Sequence, residues 1–98
     1  MRGDDLTLCE WNYLLDNKQE LTFTYTNWKN DTRQRKVGSP MSIEYMKGDP
    51  KFHPEQQYPF FLVAFDLEKE EYRNFELSRM EIDVSEQQRL LWSIRWTI

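Results

Sequence analysis

The sequence contains only one cysteine, one histidine and three glycines. The shortage of cysteine and the shortage of glycine each remove a class of site. The single cysteine, Cys9, cannot form a disulfide within the chain or build a cysteine-based zinc site, and such usage is typical of a reducing compartment. The three glycines do not form the glycine-rich loop with which P-loop and dinucleotide-binding proteins cradle phosphates. Disulfide scaffolds and the common nucleotide-binding motifs are therefore excluded.

Long hydrophobic runs are missing as well. The longest, residues 60–65, has the length of a strand, whereas a membrane-spanning helix needs about 20 apolar residues. Residues 1–8 lack the apolar stretch of a signal peptide. The net charge of −4 favours solubility and gives no overall attraction to nucleic acid or to anionic membranes, although a local basic patch is compatible with it. We therefore expect a cytoplasmic protein without a membrane partner.

The chain does contain enough apolar material for one hydrophobic core. Hydrophobic residues make up 39% of the 98 residues and aromatic residues 15%, which argues against global disorder. We expect residues 1–98 to form a single domain, with a helix at 7–17, a barrel at 20–84 and a C-terminal tail at 85–98.

The helix prediction depends on a start signal and a periodic stripe. Thr7 and Glu10 have the spacing of a capping box, in which each side chain accepts a hydrogen bond from the other residue's backbone amide. Trp11 and Leu15 then recur at helical spacing. Cys9 lies within this amphipathic segment and is expected to be a small buried side chain.

Alternating apolar and polar residues, separated by turn-forming residues, predict five strands that are joined mostly by hairpins. Their expected ranges are 21–26, 32–37, 41–46, 60–67 and 72–77. The fourth is apolar on both faces and is expected to be covered on each side. Because strongly twisted antiparallel strands tend to curl, we predict an α+β fold, in which an N-terminal helix precedes a five-stranded, strongly bent antiparallel sheet that forms a small barrel.

The triplet 38–40, Gly-Ser-Pro, is expected to end the second strand. Two later segments admit more than one interpretation. Residues 80–84 form a further short strand or an extended exit. Ser85 and Gln88 could make a second capping box, which predicts a short helical turn at 85–91. The alternation that follows favours an extended tail, so the residues leave helix and strand open for this segment.

Three segments follow the pattern of a known family. Residues 21–37 resemble its opening hairpin, and residues 60–66 resemble the strand that carries its Trp-Tyr-Leu signature, here Phe-Phe-Leu. The closing Arg-x-Phe-x-Leu-x-Arg-Ile signature is matched by Arg73, Phe75, Leu77, Arg79 and Met80. In this order and spacing, residues 20–80 resemble the WYL domain, a ligand-sensing module with an Sm-like, SH3-type barrel fold.

The resemblance carries expectations about function. The stretch HPEQQY at residues 53–58 resembles a compact WYL-like subgroup of small phage and bacterial proteins. Most WYL domains in transcription factors follow a helix-turn-helix, and only one short helix is predicted here before the barrel. The resemblance therefore implies a lone sensor-type domain that acts as a regulator or counter-defence protein, in the host cytoplasm if a phage encodes it.

Catalysis has little support in the residues. His53 and Glu55 could act as a base and its orienting partner, but neighbours around a proline rarely point at one substrate, and a turn-structuring histidine is the more ordinary interpretation. A pair of Cys9 and His53 has weaker support still. A metal site would need Asp49, Glu55 or Asp66 to join His53, and no ligand-spacing motif connects them. We expect no enzymatic activity, no cofactor and no metal.

Ligand binding has better material. Arg33 and Arg35 project from the same face of one predicted strand, because strand side chains repeat every second residue. Arginine forks bind phosphate, and aromatic faces stack on bases. The candidate ligand-binding residues, some of them carried by the resemblance, are Tyr25, Arg33, Arg35, Tyr45, Arg73 and Arg79. The expected ligand is a nucleotide-type molecule or single-stranded nucleic acid. The alternative is a solvated basic strand whose arginines pair with surface glutamates.

Protein association is the second functional hypothesis. Trp92 and Trp96 lie in the C-terminal segment, and tryptophan is a favoured anchor at protein interfaces. The chain would then be an interaction module or homo-oligomer that acts by docking on a host protein and inhibiting it. The opposing interpretation is that the tail packs on its own barrel. Convergence of the arginines on one concave surface would favour the first hypothesis, and their dispersal would favour the second.

Overall fold

A computed structural model of the chain describes residues 1–51 and 59–96, and for residues 93–96 it describes the backbone alone. The two α-helices are α1, Leu8–Asn17, and α2, Glu86–Trp96. Short 3-10 helices cover Gly3–Asp5 and Leu77–Arg79. The strands are β1, Glu20–Thr26; β2, Thr32–Tyr45; β3, Phe60–Asp66; β4, Glu71–Glu76; and β5, Met80–Glu81.

The strands form one antiparallel sheet in the order β4-β3-β2-β1-β5. The α+β class and the five-stranded, strongly bent sheet are therefore confirmed. The sheet remains open, because β4 and β5 form its two edges. The short helix Leu77–Arg79 connects these two edges along the chain.

The strand β2 corrects one prediction. The segments 32–37 and 41–46 were expected to be separate strands divided at Gly38-Ser39-Pro40, yet one strand runs through both. Its pairing register with β3 shifts between Gly38 and Ser42. An irregularity of this kind accommodates a proline, which lacks a backbone donor, and bends the strand without ending it. The bend lets β2 pair with β1 over its first half and with β3 over its second.

The helix α1 begins at the expected capping box. The Glu10 amide donates to Thr7 Oγ1 at 3.1 Å, and the Thr7 amide donates to Glu10 Oε1 at 2.9 Å. Trp11 is fully buried, and its indole Nε1 donates to the Gly3 carbonyl at 2.7 Å. Cys9 is exposed, so the expectation that it is buried is wrong. It lies on the solvent side of a helix whose buried positions are taken by larger side chains.

The C-terminal segment is helical as far as Trp96, so the extended tail expected after residue 91 is wrong for the described part. Ser85 and Gln88 form the second capping box, with Gln88 N donating to Ser85 Oγ at 3.2 Å and Ser85 N donating to Gln88 Oε1 at 2.8 Å. Arg89 and Trp92 follow at helical spacing, and both contact α1. Packing against α1 therefore selects helix over the alternation that favoured a strand.

The concave face of the sheet carries the hydrophobic core. Its sheet residues are Leu21, Phe23, Val37, Leu62, Ala64 and Phe75. The residues that pack with them from the helices and the β5 region include Trp11, Leu14, Leu77, Met80 and Ile82. The same face continues beyond these residues, and there its side chains become charged.

Candidate ligand-binding pocket

Strand register places two arginines at the boundary of the core. Arg35 is two residues before Val37 on β2 and lies opposite Phe23 of β1. Arg73 is two residues before Phe75 on β4 and lies opposite Ala64 of β3. Because opposed residues share a face and side chains alternate, both arginines leave the sheet on the same side as the core.

A cavity of about 430 Å³ opens at this boundary. Its lining residues are Tyr25, Asn27, Trp28, Arg35, Tyr72, Arg73, Asn74, Phe75 and Arg79. Three guanidinium groups from β2, β4 and the Leu77–Arg79 helix therefore meet in one concavity. A second cavity, of about 280 Å³, also borders Arg79, and among its described lining residues Arg2 is the one further cation.

A buried carboxylate lies beneath two of the arginines. Asp66 is fully buried at the end of β3, and its Oδ1 accepts from the amides of Glu68 and Lys69 at 3.0 and 3.1 Å. Its Oδ2 is 3.7 Å from Arg35 Nη1 and 3.7 Å from Arg73 Nε. These are ionic contacts without hydrogen bonds, since the separation exceeds hydrogen-bond length. Among the described residues, neither Asp66 Oδ2 nor Arg35 Nε has a hydrogen-bond partner.

The other two ion pairs of the pocket differ in exposure. Arg73 Nε and Nη2 both donate to Glu71 Oε1, at 2.9 and 2.6 Å, and the Glu71 side chain is 56% exposed. Arg79 Nε donates to Glu76 Oε2 at 3.2 Å, and its Nη1 donates to the Asn27 carbonyl at 3.1 Å. The Glu76 side chain is only 4% exposed. The hydrogen bonds of Arg79 therefore go to a buried carboxylate and a partly buried carbonyl, whereas those of Arg73 go to a side chain that faces solvent.

Tyr25 forms a wall of the pocket. Its ring makes edge contacts with Phe23 and Phe75, at centroid distances of 6.4 and 5.1 Å. Its hydroxyl accepts from the Glu76 amide at 3.1 Å. Burial raises the pKa of Tyr25, so the phenol stays neutral at physiological pH. The ring is therefore partly buried against these neighbours while it lines the cavity.

Two exposed aromatic rings lie at the rim. Trp28 belongs to the turn between β1 and β2, and the Lys29 ammonium lies 5.3 Å from its ring. Tyr72 lies on the edge strand β4, 5.3 Å from the Phe65 ring. Exposed aromatic faces beside arginines are suited to stacking on a base.

The remaining predicted site residues lie elsewhere. Arg33 is exposed on β2 and does not line the pocket. Tyr45 is at the far end of β2, where its ring lies 4.9 Å from that of Phe60. Trp92 is partly buried, with its ring 5.5 Å from Tyr13 of α1, whereas the side chain of Trp96 lies outside the described residues.

The histidine-centred hypotheses concern residues that the structure does not describe. His53 and Glu55 both lie in the segment 52–58, outside the described residues. Within residues 1–51 and 59–96, no group of three or more His, Cys, Asp or Glu side chains is placed to hold a metal ion. Asp66, one of the candidate ligands, faces two arginines instead.

Sequence reasoning did not predict the three carboxylates that pair with the arginines of the pocket, namely Asp66, Glu71 and Glu76, in that role, and it missed the rim residue Tyr72. One signal could have found Asp66. It shares a strand face with Leu62 and Ala64, and a charged residue on a core face is rarely buried without a partner. Glu71, Glu76 and Tyr72 lie in a charged hairpin and its edge strand, where such residues are ordinary.

The pocket lies within the part of the chain that matches a family model. The model of the WYL domain matches residues 14–83. This chain belongs to the WYL domain family. WYL domains in general have ligand-binding or regulatory roles and bind nucleic acids or small ligands. No curated protein and no solved structure matches the chain significantly.

The family match confirms the WYL resemblance inferred from the three sequence segments. The segment Phe60-Phe61-Leu62, which resembles the signature tripeptide, begins β3, and its last two side chains are buried. It therefore supplies apolar volume to the core side of this strand. Neither helix in the described part of the domain has the length and apolar character needed to cross a bilayer.

Proposed function

We propose that this WYL domain is a non-enzymatic binding domain that holds a nucleotide-type ligand or a single-stranded nucleic acid in the pocket between β2, β4 and the Leu77–Arg79 helix. The observation that carries the proposal is the convergence of Arg35, Arg73 and Arg79 on one cavity with exposed aromatic rings at its rim. Guanidinium groups bind phosphate oxygens through paired hydrogen bonds, and the rings can stack on a base.

The charge distribution supports an anionic ligand of moderate affinity. The three arginines of the pocket face three carboxylates, those of Asp66, Glu71 and Glu76, so the resting pocket is close to neutral. Asp66 and Glu76 are buried, so Glu71 is the one carboxylate of the three that faces solvent. A role as a phage or bacterial regulator or counter-defence protein in the cytoplasm is part of this proposal and rests on the family resemblance.

The test compares Arg73→Gln with Arg33→Gln. Both variants remove one positive charge, but only Arg73 lines the pocket. Binding is measured by the fluorescence anisotropy of labelled decathymidylate and by competition with mononucleotides. A lost charge-assisted contact to phosphate weakens binding by about 10- to 100-fold, so we expect a loss of this size for R73Q and less than a twofold change for R33Q.

The outcome distinguishes a pocket from a diffuse field. Equal losses in R73Q and R33Q would indicate non-specific attraction to the basic strand, and the pocket proposal would fail. The absence of binding to every nucleotide and oligonucleotide, by the wild-type domain and by its Glu71→Gln variant alike, would also reject it. Measurements at two salt concentrations separate the two cases further, since diffuse phosphate contacts are the more salt-dependent.

A second candidate function is protein association, and one observation favours it. Leu90 and Leu91 of α2 are 64% and 55% exposed, beside the helix face that packs on α1. Exposed leucines on a helix are suited to an interface with a host protein or with a second copy of the chain. If a second copy covers them, the wild type will have the solution mass of an oligomer and the double variant Leu90→Glu/Leu91→Glu that of a monomer. A monomeric wild type would reject self-association.

A further inference from the structure

Arg73 already holds an anion, and that anion belongs to the protein. Its Nε and Nη2 both donate to the same carboxylate oxygen, Glu71 Oε1, at 2.9 and 2.6 Å. This is one of the two edges that a guanidinium group presents to phosphate and carboxylate ligands. The Glu71 carboxylate therefore occupies one of the positions in which an anionic ligand would contact Arg73.

The three carboxylates of the pocket are not equally replaceable. Asp66 is fully buried and fixed by two turn amides, and the Glu76 side chain is only 4% exposed. Glu71 is 56% exposed, and its partner Arg73 is 37% exposed. Exposed ion pairs contribute little net stability because water solvates both partners when they separate. Glu71 can therefore leave Arg73 at small cost, whereas Asp66 and Glu76 cannot leave their partners.

A phosphate group can make one contact that Glu71 does not make. Arg35 Nη1 and Arg73 Nε both lie 3.7 Å from Asp66 Oδ2, so the two guanidinium groups contact one oxygen atom. Arg35 Nε is buried and has no hydrogen-bond partner among the described residues, where the Glu71 carboxylate accepts from Arg73 and does not reach Arg35. A tetrahedral phosphate presents oxygens in several directions, and it could accept from Arg73 and from the Arg35 side chain, which lines the same cavity.

We propose that a phosphate of the ligand binds the edge of Arg73 that the Glu71 carboxylate now occupies, beside the cavity that Arg73 lines, and that Glu71 is a built-in competitor for Arg73. This inference rests on the proposed function and adds the position of the anion and the group that it displaces. Binding exchanges the exposed Glu71–Arg73 pair for contacts of phosphate with Arg73 and Arg35, and the Glu71 side chain turns into solvent. Glu71 thereby lowers the affinity for weakly binding anions, because each ligand must first displace it.

The test is the substitution Glu71→Gln, with Glu68→Gln as the matched control. Both remove one carboxylate from the β3–β4 hairpin, and Glu68 forms its contact with Asp66 through the backbone amide, which the control keeps. Loss of a competing surface pair should tighten binding of labelled decathymidylate by about two- to fivefold. The control should change it by less than 1.5-fold, an allowance of about a few tenths of a kcal/mol. Inorganic phosphate should displace the oligonucleotide from E71Q at a lower concentration than from the wild type.

A double-mutant cycle assigns the effect to Arg73. In the Arg73→Gln background, Glu71→Gln should give no gain, because the group for which Glu71 competes is gone. Equal tightening in E71Q and E68Q would overturn the inference, since it would indicate a general loss of negative charge. Weaker binding in E71Q would overturn it too, because Glu71 would then position Arg73 for the ligand.

The fate of the inference can be separated from that of the proposed function. If R73Q loses binding and E71Q does not differ from the wild type, the pocket binds the ligand and Glu71 is no competitor. If neither the wild type nor E71Q binds any probe, both proposals fall. If E71Q binds while the wild type does not, both are supported, and the competitor is stronger than an ordinary surface pair.

Discussion

The substitution Asp66→Asn tests whether one buried charge organises the pocket. Asparagine retains an oxygen that can accept from the amides of Glu68 and Lys69, which now donate to Oδ1 at 3.0 and 3.1 Å. It replaces Oδ2 by an amide group that can only donate, at a point 3.7 Å from nitrogens of both Arg35 and Arg73. The turn is therefore kept, while the charge beneath the arginines is removed.

The magnitude follows from the burial of the two partners. Removing one member of a buried ion pair costs about 3–5 kcal/mol when the remaining charge stays buried. Arg35 is only 12% exposed and loses its counter-ion, whereas Arg73 is 37% exposed and keeps Glu71. The contacts at 3.7 Å are also longer than hydrogen bonds. We therefore expect D66N to lower the free energy of unfolding by about 2 kcal/mol, below the range for fully buried pairs.

Urea unfolding followed by tryptophan fluorescence measures this loss, with Asp31→Asn on the exposed β1–β2 turn as a control that should lie within about 0.5 kcal/mol of the wild type. Asp66→Ala should cost about 2 kcal/mol more than D66N, because it also removes two hydrogen bonds of the turn, each worth about 1 kcal/mol. A loss of less than about 0.5 kcal/mol for D66N would refute the reasoning. It would mean that Arg35 is solvated without Asp66 and that the carboxylate does not hold the arginines.

Two further predictions concern the packing of the N-terminal region. Gly3→Ala should lower the free energy of unfolding in urea by about 2–3 kcal/mol, because the added Cβ would lie 2.6 Å from the Leu77 carbonyl oxygen. The control Gly38→Ala should cost less than about 1 kcal/mol, because its Cβ meets the flexible end of a leucine side chain at 3.2 Å. Glu10→Gln keeps the capping box but loses the charge of the pair with Arg89, in which Nε lies 2.6 Å from Oε2, and should cost about 1 kcal/mol at pH 7. The hydrogen bond from Arg89 lowers the pKa of Glu10. The stabilisation from this pair is therefore present above the ordinary pKa of 4.5 and is lost as the pH falls through the lower pKa of the folded state. A stability difference between wild type and variant that stays constant down to pH 3 would contradict this prediction.

Local signals were sufficient where a single element decides its own structure. The start of α1 depends on Thr7 and Glu10, which are three residues apart, and the capping box is present. The alternation of residues 21–26 predicted β1, which covers Glu20–Thr26. In both cases the interactions that select the structure lie within one turn of helix or one strand, so that neighbouring residues reveal them.

Prediction failed where distant contacts decide between two local patterns. The segment after Ser85 carries both a capping box and an alternation of apolar residues, and the contacts of Arg89 and Trp92 with α1 select the helix. The triplet at Gly38 is a turn signal by composition, yet pairing on both sides carries β2 through it. Neither outcome could be derived without knowing which elements become neighbours.

The pocket combines both situations, because its residues are encoded by strand register and not by a contiguous motif. Arg35 and Asp66 are far apart in the chain, and they meet because Val37 pairs with Asp66 on the core side of the sheet. In that register Asp66 ends an apolar strand face, and a buried carboxylate there requires cations. Residues two positions from its paired neighbours can supply them. Arg35 meets this condition on β2. Arg73 meets it on β4, opposite Ala64. A core-face aspartate at the end of a hydrophobic strand, with arginines at matching positions of both adjacent strands, is therefore a pattern by which such pockets could be sought in other WYL domains.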